Sequence, residues 1–458
     1  MSVLTALFDK GARSFEEAFG AADITATAMK EAIRDWFELY FEKEATKEED
    51  PCQQIAYTIV RKLTKTTFGE YKAVTDDDFV SEVIRTLNEQ KQEGMDMALI
   101  GGECLLKPVP LVRKNSWRWS VVNRMNMMVF GTDEAGNLTD IGTAERTAQG
   151  GYYYTLLERR SVDVEGRLRI RNSLFRSREE KQIGLRVPLG TLEKYAEFQD
   201  DYTFDVPVDS IGLVRMKTPV ANCADGSRAG VSVYAAAVGL IHNINRNEAQ
   251  LNQEFENGRS RVFVSDTLLR RRPDGSKAFD DSLFVGLDDD PEAIGVEIFS
   301  PTLRTQDFEA RKQSYLRSCE NIIGLKRGLL SEVEAADRTA KEITSSEGDY
   351  NLTIIDFQNM WEDAVKEAVR LCSVLGGMYG IQGAHEVKPD AFSIDWGNGV
   401  LYDEDAAWED YKAMVAAGLL KPEIALGWRF NMPTETEADL KKIREKYMPE
   451  MEALLAGE

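Results

Sequence analysis

The sequence predicts an α+β protein that is mainly helical, with a β-rich segment inserted among the helices and a small α+β module further along. Three observations indicate this. Apolar residues recur every three or four positions through the first hundred residues and again after about residue 306, which is typical of helices. Between Met97 and Pro188 short strand-like runs alternate with turn sequences. Two long helical stripes then bracket a strand-like segment of about 45 residues.

Helices are predicted throughout the first hundred residues. Ser14 and Glu17 have the spacing of a capping box, which marks a helix start. Asp50 and Pro51 open a second helix, and Thr75–Asp78 cap a third. One apolar face is formed by Met29, Ile33, Trp36, Phe37, Tyr40 and Phe41. We expect such faces to pack in the core.

The β-rich region contains a row of arginines. Strands are predicted at 104–112, 117–128, 152–159, 167–175 and 183–188. Arg167, Arg169 and Arg171 alternate with apolar residues, so their guanidinium groups share one strand face. Such a row would either bind phosphates or form a solvated face paired with Glu158 and Glu165. We favour the solvated face.

Two long helices, at 231–257 and 306–323, bracket the small α+β module. The module has strand-like runs at 261–268, 282–287 and 295–299, a basic turn sequence at 270–275 and an acidic loop at 288–290. Two helices on either side of a compact insertion are the most informative feature of the organisation.

A loop is predicted after Gly324, because apolar periodicity lapses as far as about Asp337. A longer helix then begins at Thr339 and ends at Gly376–Gly377. Its apolar stripe consists of Tyr350, Ile354, Phe357, Trp361, Val365, Ala368, Cys372 and Leu375. A strand at 392–396 and helices at 403–417, 422–430 and 435–455 complete the chain.

Composition excludes several classes of protein. The 458 residues carry a formal net charge of −22, which is unusual for a tight DNA-binding protein. This charge suits either a protein past which DNA slides or one that the charge simply keeps in solution. No apolar run approaches the length of a membrane span, and the first residues lack the basic leader of a signal peptide. Five scattered cysteines predict reduced thiols, and two distant histidines argue against a metal centre or catalytic triad.

Motifs of catalysis are missing from the sequence. There is no Gly-x-x-x-x-Gly-Lys-Ser/Thr loop, no Gly-x-Ser-x-Gly and no His-Glu-x-x-His, so neither an ATPase nor a common hydrolase is predicted. The acidic runs 76–78 and 288–290 could bind a hard cation, but we favour a helix cap for the first and an exposed loop for the second. We therefore predict no enzyme, no cofactor and no bound metal.

Three stretches carry a resemblance to a known family. They are 219–266, including Gly230-Val-Ser-Val-Tyr234, Glu254-Phe-Glu-Asn-Gly-Arg259 and Arg261-Val-Phe-Val264; 337–346, which includes Thr-Ala-Lys-Glu-Ile; and Tyr154-Thr-Leu-Leu-Glu158. In these stretches the chain resembles the portal, or head-tail connector, proteins of long-tailed phages that infect Gram-positive bacteria.

The resemblance implies a ring, expected to be a dodecamer, whose subunits have wing, stem, clip and crown regions. The implied regions are the wing at 1–230, the first stem helix at 231–260, the clip at 261–305, the second stem helix at 306–324, the tunnel loop at 325–337, the long tunnel or wing helix with its return strand at 338–400, and the crown helices at 401–458.

The resemblance also implies a function and partners. The ring would occupy the unique capsid vertex of the virion, and double-stranded DNA would pass through it during packaging and ejection without sequence specificity. Implied partners are the terminase large subunit, head-tail adaptor proteins, the scaffold and the major capsid protein, with assembly in the host cytoplasm and no membrane.

Charged residues in two of the implied regions are candidate contacts. In the tunnel loop, Lys326 and Arg327 would approach DNA phosphates, and Glu332 and Glu334 would limit the strength of that contact; alternatively, all four are solvated loop charges. In the clip, the candidate partner-binding residues are Arg270, Arg271, Arg272, Asp288, Asp289 and Asp290.

Two rival functions belong to other classes. A magnesium-dependent DNA-processing head protein would use acidic clusters such as 288–290, although no matching base or motif accompanies them. A head-tail adaptor or other capsid component would usually be much shorter and would lack the helix, module, helix order.

Overall fold

The computed structural model describes residues 14–41, 51–265, 284–287, 297–299, 302–332, 340–388, 391–397, 404–430, 432–434 and 436–448. The chain divides into two units, the first formed by Met1–Thr67 and Ala73–Ser393 and the second by Phe68–Lys72 and Ile394–Glu458. Helices and antiparallel sheets both contribute, so the predicted α+β class is confirmed. Within the described residues, no helix is both long and apolar enough to cross a bilayer.

The helices of the first unit follow the predicted apolar periodicity. They are α1 (Thr27–Phe41), α2 (Ile55–Thr67), α3 (Asp78–Asn88), α4 (Lys91–Gly101), α5 (Val238–Asn257), α6 (Thr305–Ile323) and α7 (Ala340–Tyr379). In α1 the predicted residues Met29, Ile33, Trp36 and Phe37 are all buried. Residues 14–19 are also helical, as the capping box predicts, but α2 begins at Ile55 and not at Pro51.

Two antiparallel sheets form the β-rich part. The strands of the chain are β1 (Lys72–Val74), β2 (Glu103–Leu111), β3 (Ser116–Asn123), β4 (Met127–Thr132), β5 (Leu138–Gln149), β6 (Tyr152–Val162), β7 (Leu168–Ser177), β8 (Leu185–Val187), β9 (Asp201–Thr203), β10 (Val214–Lys217), β11 (Arg261–Ser265), β12 (Phe284–Leu287), β13 (Glu297–Phe299) and β14 (Ser393–Asp395). One sheet has the order β10-β2-β3, and the other has the order β4-β5-β6-β7-β8 with β9 paired to β7.

One predicted strand proves to be two. The run 117–128 is split into β3 and β4 by a 3₁₀ turn at Arg124–Asn126, whose Arg124 is buried and donates from its guanidinium to the Met127 carbonyl at 3.0 Å. The split lets β3 stay in the smaller sheet while β4 joins the larger one. The apolar side chains of both sheets then meet in one cluster, formed by Leu105, Val122, Met127, Val129, Leu138, Ile141, Ile211 and Leu213. Burying each such side chain contributes roughly 1.5–3 kcal/mol.

Helix α7 packs against α2, α3, β2 and β10, and all eight residues of its predicted apolar stripe are buried. Its predicted end is wrong, because the helix continues past Gly376 and Gly377 to Tyr379. Gly380, with φ of 69°, follows the last helical residue. Gly376 instead allows close packing, since a Cβ there would lie 2.7 Å from the Cβ of Ala384.

Helix α5 begins seven residues later than predicted. Val231–Tyr234 are buried, and the chain turns at Val233 and Tyr234. The Val233 amide donates to the Leu99 carbonyl at 2.9 Å, and the Tyr234 hydroxyl donates to the Trp36 carbonyl at 2.7 Å. Just before this segment, Gly230 touches Gly102, which has φ of 81°; a Cβ on Gly102 would lie 2.4 Å from the Gly230 carbonyl carbon.

The second unit contains α8 (Glu404–Ala416), α9 (Pro422–Arg429) and α10 (Glu437–Tyr447). Aromatic rings join these helices: Tyr411 stacks on Trp428 at 4.8 Å and Phe430 stacks on Tyr447 at 4.2 Å between ring centroids. Glu423, which is buried, accepts from Arg444 at 2.7 Å. The three helices predicted near the C-terminus are therefore present where the structure describes them.

Candidate functional site

Helices α5 and α6 pack side by side and run antiparallel. Arg304 pairs with Glu254 at 2.7 Å, and, further along, Lys312 pairs with Glu248 at 3.0 Å, so residue numbers rise along one helix as they fall along the other. The side-chain amide of Asn247 on α5 also donates to the Phe308 carbonyl of α6 at 3.0 Å. The two helices that bracket the module in the sequence therefore pack against each other.

The helix pair is joined to the rest of the first unit at its base. Ile241 and Ile244 of α5 and Leu316, Cys319 and Ile323 of α6 are buried there. Burial, with the neighbouring Glu320 charge, raises the pKa of the Cys319 thiol to about 12, so this thiol stays protonated at neutral pH. The far ends of the helices carry mostly exposed polar side chains.

A small sheet lies between the two helices in the sequence. Its order is β12-β11-β13, with β11 parallel to β12 and antiparallel to β13. These strands fall within the predicted runs at 261–268, 282–287 and 295–299. The candidate partner-binding residues Arg270, Arg271, Arg272, Asp288, Asp289 and Asp290 lie outside the described residues.

The loop after α6 begins at Gly324, whose φ of 77° ends the helix. Residues 325–332 contain neither helix nor strand, as the lapse in periodicity predicts. Leu325 is buried, whereas Lys326 and Arg327 are exposed at the tip, where Gly328 has φ of 90°. The structure therefore presents the two predicted basic residues on a short turn.

Glu320 organises this loop from within α6. Its side chain is almost fully buried, and one carboxylate oxygen accepts from the backbone amides of Gly328, Leu330 and Ser331 at 3.1, 2.6 and 2.9 Å. The other oxygen accepts from the Ser331 hydroxyl at 2.7 Å. Four donors converge on one carboxylate, so the loop folds around a buried negative charge.

Two further contacts hold the loop from outside. The ammonium of Lys62 on α2 donates to the Leu329 carbonyl, and the side-chain oxygen of Gln313 on α6 accepts from the Glu332 amide at 2.8 Å. The Glu332 side chain is exposed. Glu334, the second predicted acidic residue, lies outside the described residues.

Sequence reasoning missed Glu320, although a signal was present. The helix stripe that contains Leu316, Cys319 and Ile323 also contains this acidic residue, and a carboxylate on an apolar face needs donors from elsewhere. The glycine-rich turn that follows the helix supplies those donors as free backbone amides.

The three arginines of the row, Arg167 just before β7 and Arg169 and Arg171 within it, all make intramolecular contacts. Arg167 pairs with Glu165 at 2.6 Å, Arg169 pairs with Asp201 at 2.5 Å, and Arg171 lies over the Phe19 ring at 5.4 Å. The pair with Asp201 raises the pKa of Arg169, whereas burial and neighbouring arginines lower the pKa of Arg171. These contacts favour the predicted paired face over a phosphate-binding row.

Glu158 was the wrong partner for that row. It is buried in the first unit, where its carboxylate accepts from Lys107 and Arg160, each at 2.7 Å. Burial alone would raise the pKa of Glu158, but the two cations outweigh burial and lower this pKa to about 2.

The first acidic run serves as a helix cap, which confirms the favoured interpretation. Asp77 accepts from the amides of Phe79 and Val80 at 2.9 and 3.1 Å at the start of α3. In the part of the chain that the structure describes, no three His, Cys, Asp or Glu side chains are grouped to hold a metal ion.

The chain is similar to known proteins in sequence and in structure. Residues 55–450 match the family model described as "Phage portal protein, SPP1 Gp6-like". No curated protein sequence matches the chain. Among solved structures, the neck of a native gene transfer agent particle computed with C12 symmetry is similar, with 11% identity, a TM-score of 0.47, and coverage of 91% of this chain and 97% of that chain. A chain from the virion of a native gene transfer agent particle is similar at 12% identity and a TM-score of 0.47, covering 92% of this chain and 96% of that one.

The family match extends over most of the sequence, including both helices of the pair, the strands between them, the Glu320-anchored loop and α7. It confirms the resemblance to portal proteins that the sequence motifs indicated. The chain belongs to the SPP1 Gp6-like family of phage portal proteins.

Proposed function

We propose that copies of this chain close into a ring of about a dozen subunits, through which double-stranded DNA enters and leaves a capsid. The observation that carries the proposal is the antiparallel pair of α5 and α6, which brackets a strand module and ends in an anchored basic loop. Family membership supports the same function. The pair would form the stem, and the strand module would form the clip.

Ring closure requires two different contact faces on each subunit, because neighbours meet head to tail. The stem helices supply mixed charged and apolar surfaces, including Phe255 and Ile322, which are about half exposed in the isolated subunit. A net charge of −22 opposes tight binding of the DNA phosphates, so a duplex could slide through such a ring.

The loop at 325–332 would lie at the narrowest part of the channel and would touch the passing duplex. Lys326 and Arg327 are exposed on a backbone that Glu320 holds in place, and this arrangement supports a phosphate contact. Glu332, exposed on the same loop, would weaken the contact and limit drag. Glu334 would act in the same way.

The remaining regions would follow the family pattern. Residues 1–230 and the long helix would form the wing, and residues 401–458 the crown inside the capsid. The clip would dock the terminase large subunit and later the head-tail adaptors, while the scaffold and major capsid protein would surround the ring in the virion. The terminase would hydrolyse ATP, because the chain lacks a phosphate-binding loop and its family is structural. Assembly in the cytoplasm of a Gram-positive host stays a prediction.

Electron microscopy of the purified protein tests the ring directly. We expect closed particles of about a dozen wedges with a central hole wide enough for a duplex, roughly 20 Å. A protein that stays monomeric at all concentrations and salt conditions would contradict the proposal. Incubating the same preparation with DNA and Mg²⁺ tests the rival enzyme function, for which cleavage would be the positive result.

A further inference from the structure

We propose that Glu320 is the positioning residue of the basic loop: its carboxylate latches residues 328–331 to α6, and the loop moves by releasing this latch. The inference deepens the proposed channel function and rests on it only for the role of the loop in DNA passage. The latch itself depends on contacts within one subunit.

The latch depends mainly on one side-chain oxygen that accepts three hydrogen bonds. Three amides converge on one oxygen and the Ser331 hydroxyl binds the other, so every contact requires Glu320 to accept. Hydrogen bonds to a charged acceptor are about twice as strong as neutral ones, and a buried carboxylate without donors is costly. The closed loop and the buried charge therefore stabilise each other.

The loop has backbone features that would allow motion once the latch opens. Gly324 and Gly328 have φ of 77° and 90°, and they flank the exposed Lys326 and Arg327. Glycine crosses between such conformations at low steric cost. Once Glu320 releases residues 328–331, rotation at Gly328 can therefore move Lys326 and Arg327, while the buried Leu325 and α6 stay in place.

The Lys62 contact is weaker than the Glu320 contact. Lys62 reaches a single carbonyl, that of Leu329, and its side chain is half-buried, so water can replace the contact when the loop moves. Glu320 has no such replacement, because its oxygens face the loop backbone and not solvent. We therefore expect loop release to depend on Glu320 far more than on Lys62.

Limited trypsin digestion of the full-length subunit before ring assembly measures release, because trypsin cleaves after Lys326 and Arg327 and the latch lies within one subunit. Peptide mass spectrometry would give the cleavage rate at these two bonds. We expect Glu320→Ala to raise this rate roughly ten- to a hundredfold, since several hydrogen bonds are lost together. Glu320→Gln, whose amide oxygen still accepts from the three backbone donors, should restore most of the protection.

Control variants separate the latch from general destabilisation. Glu256→Ala removes a surface carboxylate from α5 and should leave the rate unchanged. Ser331→Ala removes one donor and should raise the rate less than Glu320→Ala, which keeps the inference testable if the latter does not fold. Unchanged cleavage in both Glu320→Ala and Ser331→Ala would overturn the latch, and so would cleavage in Glu320→Gln equal to that in Glu320→Ala.

A DNA-packaging assay with the same variants separates the latch from the channel function. If the loop contacts DNA, Glu320→Ala rings should package several-fold more slowly, and Glu320→Gln rings should be near normal. Faster cleavage at Lys326 and Arg327 with normal packaging would leave the latch standing and would contradict the DNA contact. Normal cleavage with slow packaging would contradict the latch alone.

Discussion

The ammonium of Lys107 on β2 lies 2.7 Å from the carboxylate of Glu158 on β6, and both side chains are buried. The pair joins the β10-β2-β3 sheet to the larger sheet, which contains β4 to β9. Arg160 approaches the other oxygen of Glu158 at 2.7 Å and also donates to the carbonyls of Ile211 and Gly212. A single carboxylate thus links both sheets to the chain that leads into β10.

Replacing Glu158 with Gln should strongly destabilise the fold. The substitution keeps the shape but leaves two buried cations without their counter-charge, and breaking such a pair costs about 3–5 kcal/mol. Urea denaturation followed by circular dichroism would measure the loss. Glu165→Gln, which removes the exposed partner of Arg167, is the matched control and should cost less than about 1 kcal/mol.

The same carboxylate should give the fold a stability that depends on acid. Because the pKa of Glu158 falls to about 2 in the folded chain, its contribution is fully present above the ordinary glutamate value of 4.5 and is lost as pH falls towards 2. The slope of unfolding free energy between pH 4.5 and 2.5 should therefore be smaller in Glu158→Gln than in the unmodified chain. Equal slopes in the two proteins would contradict the assignment.

Removing the Tyr234 hydroxyl should destabilise the base of the helix pair. The buried hydroxyl donates to the Trp36 carbonyl, and a lost hydrogen bond of this kind costs about 1 kcal/mol. Tyr234→Phe should therefore lower the thermal midpoint by a few degrees in a calorimetric scan. Tyr57→Phe, at a partly exposed ring, should leave the midpoint within error. An effect of Tyr57→Phe as large as that of Tyr234→Phe would contradict a specific role for the buried hydroxyl.

His385 should titrate above its ordinary pKa of 6.5. Its Nδ1 lies 2.8 Å from the Gly383 carbonyl and its Nε2 lies 2.9 Å from the Asp77 carboxylate, so both nitrogens donate only in the charged ring. The Gly383 contact and then Asp77 raise this pKa. The stabilisation is fully present below pH 6.5 and is lost as pH rises through the higher folded pKa.

Histidine-selective NMR would measure this titration, with His242→Gln removing the only other histidine signal. The charged residues Asp78, Glu82 and Lys114 line the same cleft as the His385 ring. Asp77→Asn keeps the helix cap and should lower the pH midpoint of the His385 titration. A midpoint at or below 6.5 in the parent chain would show that the two contacts do not form together.

Replacing both Lys326 and Arg327 with Ala should slow DNA packaging at least several-fold while ring assembly stays normal. The side chains are exposed, and the loop backbone is held by Glu320, so the variant removes two charges without moving the loop. Packaging rate and electron microscopy together check both parts. The control is Arg113→Ala with Lys114→Ala, another exposed and adjacent basic pair. Normal packaging by rings that lack both loop charges would refute the phosphate contact.

Strong periodicity made the helices predictable. The stripe of α7 is predictable residue by residue, because every one of its apolar side chains is buried. The end of α7 is not predictable in this way, since Gly376-Gly377 resembles a helix stop although Gly376 lies inside the helix and packs closely against Ala384. Tertiary packing decides between these two uses of glycine, and local sequence carries no sign of it.

Pairing partners were the least predictable feature. The segment Leu138–Gln149 contains few apolar residues, yet it forms β5 because β4 and β6 pair along both of its edges. In the same way, the sequence pattern assigns Glu158 to a surface row, whereas Lys107 on another strand and the nearby Arg160 hold it in the interior. The two basic residues of the loop are evident from the sequence. The Glu320 contact is not, because it depends on the direction in which the backbone amides of Gly328, Leu330 and Ser331 point.

The contact between Gly102 and Gly230 restricts which substitutions the chain tolerates at these two positions. Because the two backbones touch, a methyl group at either position would push the chain entering α5 away from the end of α4. Random mutagenesis with selection for assembled particles should therefore recover glycine alone at both sites. The orientation of the whole helix pair rests on a junction that tolerates no side chain.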